Sequence, residues 1–466
     1  MQLQSSFIDW VKSEGVKKMS KDKSSDVKNI VTTGPPVAGL FSPHRDNLLE
    51  PRILTDDFQR CVECGYCRSV CRVYDVTYSE LDYAGGRNRI LKALANKEIS
   101  FDKEGIVDSI FRCTLCGNCR EVCPVGIDTV KVFQKFRKDA IHKGVLPRKL
   151  GILDERVGKL KNPYNENPDD RFNWTKDCVP AQKALKRGIE VLKAIETGSE
   201  KKKYRVGYYV GCTSAFRNTE LAIATCTILE KLGIEFVLFP NEWCCGSVSY
   251  RTGLEDHIHD LVKHNTKMIR DFGVEDVVFS CSGCFSTLSL EYPRLLGEEL
   301  GFNLYHMAEF VPKYVKEHNI NIKYTKRTKE DPLVVTYHDP CHLGRYMGVY
   351  DPPRELIKMI EGVKLVEMKH IRNMSRCCGA GGGVKTLYGE LATTVATNRL
   401  GESSNCVEIL RADRLKEAEE THSEWMVSSC VFCKNNLYQA ANESNSGLTV
   451  ADITEILQDC EFIKEE

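Results

Sequence analysis

Residues 113–124 read CTLCGNCREVCP, and residues 61–71 read CVECGYCRSVC. Both follow Cys-x2-Cys-x2-Cys-x3-Cys. The later run closes on Pro124, whereas the earlier one continues into Arg72. Three thiolates spaced two residues apart wrap one face of a compact inorganic core. The small Gly65 and Gly117 let backbone amides approach it. The fourth cysteine is carried away from that face, and in paired runs of this kind it ligates the neighbouring cluster. The spacing therefore predicts two [4Fe–4S] cubanes. One takes Cys61, Cys64, Cys67 and Cys123, and the other takes Cys113, Cys116, Cys119 and Cys71. Zinc needs four ligands per site and usually pairs Cys-x2-Cys halves, so it fits this octet poorly.

The 41 residues between the runs exceed the minimum such a pair needs, and they contain a helical pattern. In this the segment resembles the α-helical ferredoxin of multi-subunit reductases. Around it, the 466 residues are enough for two or three domains. Basic and acidic residues balance at 65 each, which gives no field for nucleic acid. The 22 cysteines fit metal sites better than a disulfide framework, because such frameworks belong to short secreted domains. The N-terminus lacks an apolar leader core, and no uninterrupted apolar run reaches about 18 residues. A reducing cytoplasm is the expected compartment.

The expected layout begins with a tail over 1–52, where Phe7, Ile8, Trp10 and Val11 share a face of a short helix. A two-cluster ferredoxin domain over 53–145 and a linking arm over 146–203 follow. Residues 204–315 and 332–446 then read as two copies of one unit, ahead of a C-terminal segment over 447–466. Copy one runs from a β-rich stretch to Cys212, then to WCCG with Cys244 and Cys245, then to CSGC with Cys281 and Cys284. Copy two repeats this with Cys341, with Cys377 and Cys378, and with Cys430 and Cys433. Strands alternate with helices, so each copy is expected to be a layered α/β unit with parallel strands, and the chain an α+β multidomain protein. The cysteines fall just past strand ends, where open α/β sheets place their ligand sites.

The gaps are 31 and 35 residues in copy one, against 35 and 51 in copy two. The excess surrounds Cys406 and reads as an insertion. Five thiolates per copy exceed the demand of one zinc or one cubane, and vicinal cysteines suit an assembly wanting several close sulfurs. The carrying motifs are YVGC (209–212), EWCCG (242–246), CSGCF (281–285), YHDPCHLGR (337–345), CCGAGGG (377–383) and SSCVFC (428–433). Over residues 55–445 the chain resembles the D subunit of the heterodisulfide reductase family, a two-cluster ferredoxin followed by two cysteine-rich CCG domains. The dissimilatory-sulfite-reductase-associated K subunit is also similar. The resemblance implies one or two noncubane [4Fe–4S] clusters in the CCG sites, besides the two cubanes, and disulfide reduction or formation on small thiol cofactors. It also resembles the iron–sulfur subunits of glycolate (or lactate) and glycerol-3-phosphate dehydrogenases, which implies the alternative of an electron relay to quinone. In those relatives the second Cys-x2-Cys tends to be incomplete, and here it is whole.

Each thiolate product takes a proton, and His342, next to Cys341, is a candidate donor; a structural histidine is the competing reading. Lys385 and Arg345 are candidates to hold an anionic substrate tail, against plain surface charge. GAGGG (379–383) lacks the Lys-Ser/Thr of a phosphate loop and is expected to pack backbone against a cluster and leave room for a ligand. No flavin or nicotinamide motif is present, so the expected partner is a flavoprotein or a cytochrome b component of a redox complex, which would hold the chain at the inner face of the membrane.

Overall fold

The buried-strand runs of the two repeats form two four-stranded sheets in a computed structural model that describes residues 56–101, 105–397, 423–444 and 446–465. Copy one contributes β1 (Val206–Tyr209), β2 (Phe236–Leu238), β3 (Asp276–Phe279) and β4 (Asn303–His306). They are parallel throughout, in the order β2-β1-β3-β4. β5 (Ile320–Tyr324) lies between the copies. Copy two contributes β6 (Leu333–His338), then β8 (Val363–Leu365) after the short β7 (Ile360–Glu361), then β9 (Trp425–Ser428) and β10 (Thr449–Asp452). Their order, β10-β9-β6-β8, is the same winding, again all parallel. β1, β2 and β3 are buried at every residue, as strands covered on both faces must be.

The expected edge of copy two at 446 stops short of β10, which is the fourth strand of its sheet. The pattern missed it because the cysteine punctuation that marks the repeat ends at Cys433, ahead of Thr449–Asp452. The C-terminal segment also supplies β11 (Cys460–Lys464), which pairs antiparallel with β5, while β5 pairs parallel with β7. These three strands stitch the link between the copies to the chain's end.

The copies meet reciprocally. The helix after β1 (Thr219–Lys231) packs on the helix after β10 (Ile453–Gln458), and the helix after β4 (Met307–Glu317) packs on the helix Asp351–Met359 that follows β6. Each helix thus meets the other copy's non-equivalent helix, which is the signature of a two-fold relation between repeats.

The arm over 146–203 is helical and carries a layer of its own. Its helix Val179–Thr197 lies on β2, and the small Ala181, Ala184 and Gly188 permit the approach. A Cβ on Gly188 would collide with the Leu238 carbonyl. The ferredoxin domain has its own core, with Leu91, Phe111, Phe133 and Phe136 shared by the helices Ala84–Ala95, Ile106–Phe111 and Thr129–His142. No helix among the described residues is long and apolar enough to cross a membrane. The tail over 1–52 and the excess around Cys406 lie outside the described residues.

Candidate iron–sulfur centres

The two N-terminal runs fold into the same loop from different residues. Glu63 and Leu115 both take positive φ, 57° and 53°, and Gly65 and Gly117 follow at 82° and 78°. Left-handed backbone on both sides of the second cysteine turns successive amides inward, the geometry of an anion-binding nest. The Leu115 amide donates to Cys113 Sγ at 3.4 Å, and the Ile127 amide donates to Cys123 Sγ at 3.4 Å. One hollow is lined by Cys61, Cys64, Cys67, Cys119 and Cys123. A second is lined by Cys71, Cys113, Cys116 and Cys119. Each hollow is therefore lined by sulfurs of both runs, with Cys119 reaching both.

In copy one the five sulfurs converge. Cys212 Sγ lies 3.7 Å from Cys244 Sγ, the thiols of Cys244 and Cys284 point at Cys245, and Cys284 also faces Cys281. In copy two the thiols of Cys377 and Cys433 point at Cys378, Cys430 faces Cys433, and Cys341 lies beside Cys377 and Cys378. The amides of Gly246 and Gly379 donate to Cys244 Sγ at 3.4 Å and to Cys377 Sγ at 3.3 Å. The glycines are needed there: φ is +77° and +89°, and a Cβ on Gly379 would sit 2.7 Å from the Ala392 carbonyl.

The electrostatics follow the same pattern in both copies. Thiol donation from Cys244 and then Cys284 brings Cys245 down to about 6. Donation from Cys377 and then Cys433 likewise carries Cys378 well below the usual thiol range. Cys284 and Cys433 are raised well above it, by hydrogen bonds to the neighbouring cysteines and then by burial. As a bare thiol cluster each site can hold few negative charges. Only bound cations let five contacting buried sulfurs ionise together. Sulfur-rich, oxygen-poor and buried except for the half-exposed Cys341, the donor sets fit iron–sulfur assemblies.

Copy two adds a candidate ligand that sequence reasoning missed. The metal-binding atoms of His338, Cys378 and Cys433 all lie within 4.8 Å of one another. His338 ends β6 opposite Ser428, as Tyr209 ends β1 opposite Phe279. Aligning YVGC with YHDPC would have placed His338 at the mouth of the site. In copy one the same position holds a phenol that donates to the Trp243 carbonyl at 2.6 Å.

The other singled-out residues divide. His342 is half-buried beside Cys341, and its shielded Nε2 has no hydrogen-bond partner. Burial, and then the charges of Arg251 and Arg345, hold it neutral. Arg345 does not face a ligand space. It donates to the Cys116 carbonyl at 2.7 Å, to Asn373 O at 3.0 Å and to Ser375 O at 2.5 Å. Lys385 is also spent inside the protein, on Asn436 Oδ1 at 2.8 Å, Gln439 Oε1 at 2.6 Å and Thr393 Oγ1 at 3.1 Å. Near-surface position in sequence does not reveal such bonding, because the acceptors come from distant segments.

The second N-terminal run presses against copy two. Cys116 and Cys377 are within hydrogen-bonding reach of each other, and Cys377 Sγ donates to Thr114 Oγ1 at 3.5 Å. Tyr346 donates to the Leu115 carbonyl at 2.5 Å. A Cβ on Gly381 or Gly382 would lie 2.6 Å from Thr114 O or 2.7 Å from Cys113 O. The glycine run thus admits the ferredoxin loop, where the sequence suggested room for a ligand.

Comparison with known proteins gives two family matches. The description "4Fe-4S dicluster domain" matches residues 57–127, and "Cysteine-rich domain" matches 206–289 and 335–438. The D subunit of the dihydromethanophenazine:CoB--CoM heterodisulfide reductase of Methanosarcina acetivorans is 35% identical over 419 residues, covering 85% of this chain and 92% of that protein. The B subunit of the fumarate reductase (CoM/CoB) of Methanothermobacter marburgensis is 28% identical, over 87% of this chain and 74% of the relative. EtfAB:quinone oxidoreductase of Syntrophomonas wolfei is 26% identical, over 86% of this chain and 58% of the relative.

Proposed function

We propose, since this chain belongs to the family of heterodisulfide reductase D subunits, that within its redox complex it is the component that reduces or forms the disulfide of small thiol cofactors. In coarser terms the chain is an iron–sulfur electron-transfer component of an oxidoreductase complex. The reaction is R–S–S–R′ + 2 e⁻ + 2 H⁺ → R–SH + R′–SH, with the S–S bond broken and both sulfurs protonated. The observation that carries the reading is the convergence of five cysteine sulfurs in each copy.

Cys61, Cys64, Cys67 and Cys123 would hold one cubane, and Cys113, Cys116, Cys119 and Cys71 the other. The two sets of five would hold one or two noncubane clusters. These groups, when bound, supply one-electron transfer and iron that binds sulfur. The chain's own residues do the rest. Cys64, Val62 and Tyr66 are exposed, which opens the first run to an external donor, a flavoprotein or a cytochrome b component. The Cys116–Cys377 contact joins the second run to copy two. Arg345 positions that contact from the Cys116 carbonyl, while His342, held neutral, lies beside Cys341 as a positioning group and not as the proton donor that its sequence position suggested. A cytoplasmic position, held at the inner membrane face by the partner, belongs to the same proposal.

Low-temperature EPR of the anaerobically isolated complex tests this. A paramagnetic signal that develops under oxidising conditions only when a thiol is added supports disulfide chemistry. No such signal, together with efficient turnover on quinone, would sink it in favour of a relay like the quinone-reducing relative. The crossed ligand sets make a separate prediction. Cys123→Ser is expected to remove the same cluster signal as Cys64→Ser, with a loss of about four irons. Loss of the Cys113→Ser signal instead would reverse the assignment.

A further inference from the structure

The two sulfur sites share a plan but not their surroundings. His338 is 1% exposed, and its ring shares a space with Cys378 Sγ and Cys433 Sγ in which the three ligand atoms all lie within 4.8 Å of one another. They come from three different elements. His338 closes β6, Cys378 lies in the loop after β8, and Cys433 lies in the helix Val431–Ser444 after β9. The backbone around the histidine is fixed on both sides. β6 pairs it with Ser428, whose hydroxyl donates to the His338 carbonyl at 3.3 Å. The next residue, Asp339, is gripped by both arms of the Arg354 guanidinium at 2.6 and 2.9 Å and accepts from the Arg372 amide at 2.8 Å. A ring carried on such a frame is held in place before any metal arrives.

In copy one the matching space is closed. Tyr209 stands where His338 stands, and its hydroxyl is spent on the Trp243 carbonyl at 2.6 Å and the Asn265 side-chain amide at 3.3 Å. Cys284, the counterpart of Cys433, packs its sulfur 3.0 Å from the point where Gly211 would carry a Cβ. Copy two has Pro340 at that place, and its ring forbids the same closure. The buried histidine of copy one serves another purpose. His306 ends β4, and its Nδ1 caps the next helix by accepting from the Ala308 amide at 3.2 Å. Its counterpart at the end of β10, Asp452, caps in the same way with the Thr454 amide at 3.0 Å. Capping does not explain His338, because the next helix begins only at Asp351.

We propose that His338 is a nitrogen ligand of the iron–sulfur assembly in copy two, which makes the two sulfur sites chemically unequal. This rests on iron held by the copy-two cysteines and is independent of the disulfide chemistry. Imidazole ligates as a neutral ring through one nitrogen. It therefore adds a donor to a crowded set of thiolates without adding negative charge. Nitrogen ligation in place of thiolate raises the reduction potential of an iron–sulfur centre. The copy that meets the second N-terminal run, through Cys116 and Cys377, is then the more readily reduced of the two.

The test uses the cluster-loaded protein with its histidines labelled with heavy nitrogen. Pulsed EPR is read on the signal that Cys377→Ser removes. A strong coupling from labelled nitrogen is expected, lost in His338→Gln and kept in His342→Gln. His338→Cys is expected to hold the same iron without that coupling and to move the reduction equilibrium of the copy-two signal by about tenfold or more toward the oxidised form. If wild type shows only the weak couplings of unlabelled amides bonded to sulfur, the proposal is overturned while the iron–sulfur reading stands. If Cys377→Ser removes neither iron nor signal, the proposal and that reading fall together. Should His338→Gln lose its iron, the wild-type spectrum decides alone. Should copy two give no EPR signal, optical redox titration decides: an unchanged curve in His338→Cys overturns the ligand.

Discussion

Replacing Arg137 with methionine is expected to lower stability by at least about 4 kcal/mol and to loosen the ferredoxin domain from both cysteine-rich copies. Its guanidinium is fully buried and donates to five carbonyls: Ile110 at 3.2 and 3.1 Å, Phe111 at 3.3 Å, Cys113 at 2.5 Å, Arg251 at 2.9 Å and Gly382 at 2.7 Å. Those acceptors belong to three separate parts of the chain. Burial brings the Arg137 side chain down to about 10, so it stays charged at neutral pH. Methionine keeps much of the stem's packing and removes every donor, which leaves carbonyls that each cost about 1–3 kcal/mol when unpaired. Some would recover by admitting water, hence the lower bound. Anaerobic chemical denaturation measures the loss, and a change under about 1 kcal/mol would show that Arg137 is no clamp. Arg137→Lys should recover less than half, because one ammonium cannot reach five acceptors.

Gly381→Ala should have the largest effect on electron flow, slowing turnover with an external reductant by about 10–100-fold at unchanged iron content. The glycine has ordinary backbone, so the variant carries no conformational strain of its own. Its new Cβ would meet the Thr114 carbonyl at 2.6 Å and push the second N-terminal run off copy two. The Cys116–Cys377 contact and the Thr114 bond to Cys377 Sγ would open with it. Rapid-freeze EPR should show the N-terminal signals reduced at the wild-type rate and the copy-two signal delayed. Simultaneous reduction at wild-type rates would remove this junction from the path. Gly65→Ala is the control. It has φ of +82° with nothing within 4 Å of its Cβ, so it is expected to cost about 1–2 kcal/mol and leave transfer unchanged.

Legibility divided along the length scale of the interactions. The two N-terminal loops could be read because three of each four cysteines lie within seven residues, and local spacing dictates their backbone. The repeat could be read because strand, glycine and cysteine punctuation recurs in order. Lys385 and Arg345 looked available to a ligand because nothing near them in sequence takes their charge, yet their acceptors lie up to 54 and 229 residues away. His338 was passed over for His342, which directly follows Cys341, yet it is His338, at the end of β6 opposite β9, that lies beside Cys378 and Cys433.

What the chain's residues determined unaided was chemistry of short reach: sulfur donors at cluster spacing, left-handed loop positions, and parallel strands that end at cysteines. The tertiary fold alone decided which run touches which copy, since Thr114 and Cys377 meet across 263 residues. It also decided that the Arg251 guanidinium should be buried over the Tyr346 ring, 4.4 Å from its centroid, without a hydrogen-bond acceptor. Ligand spacing is a property of a few covalently linked residues, whereas the meeting of distant surfaces depends on how every intervening layer packs.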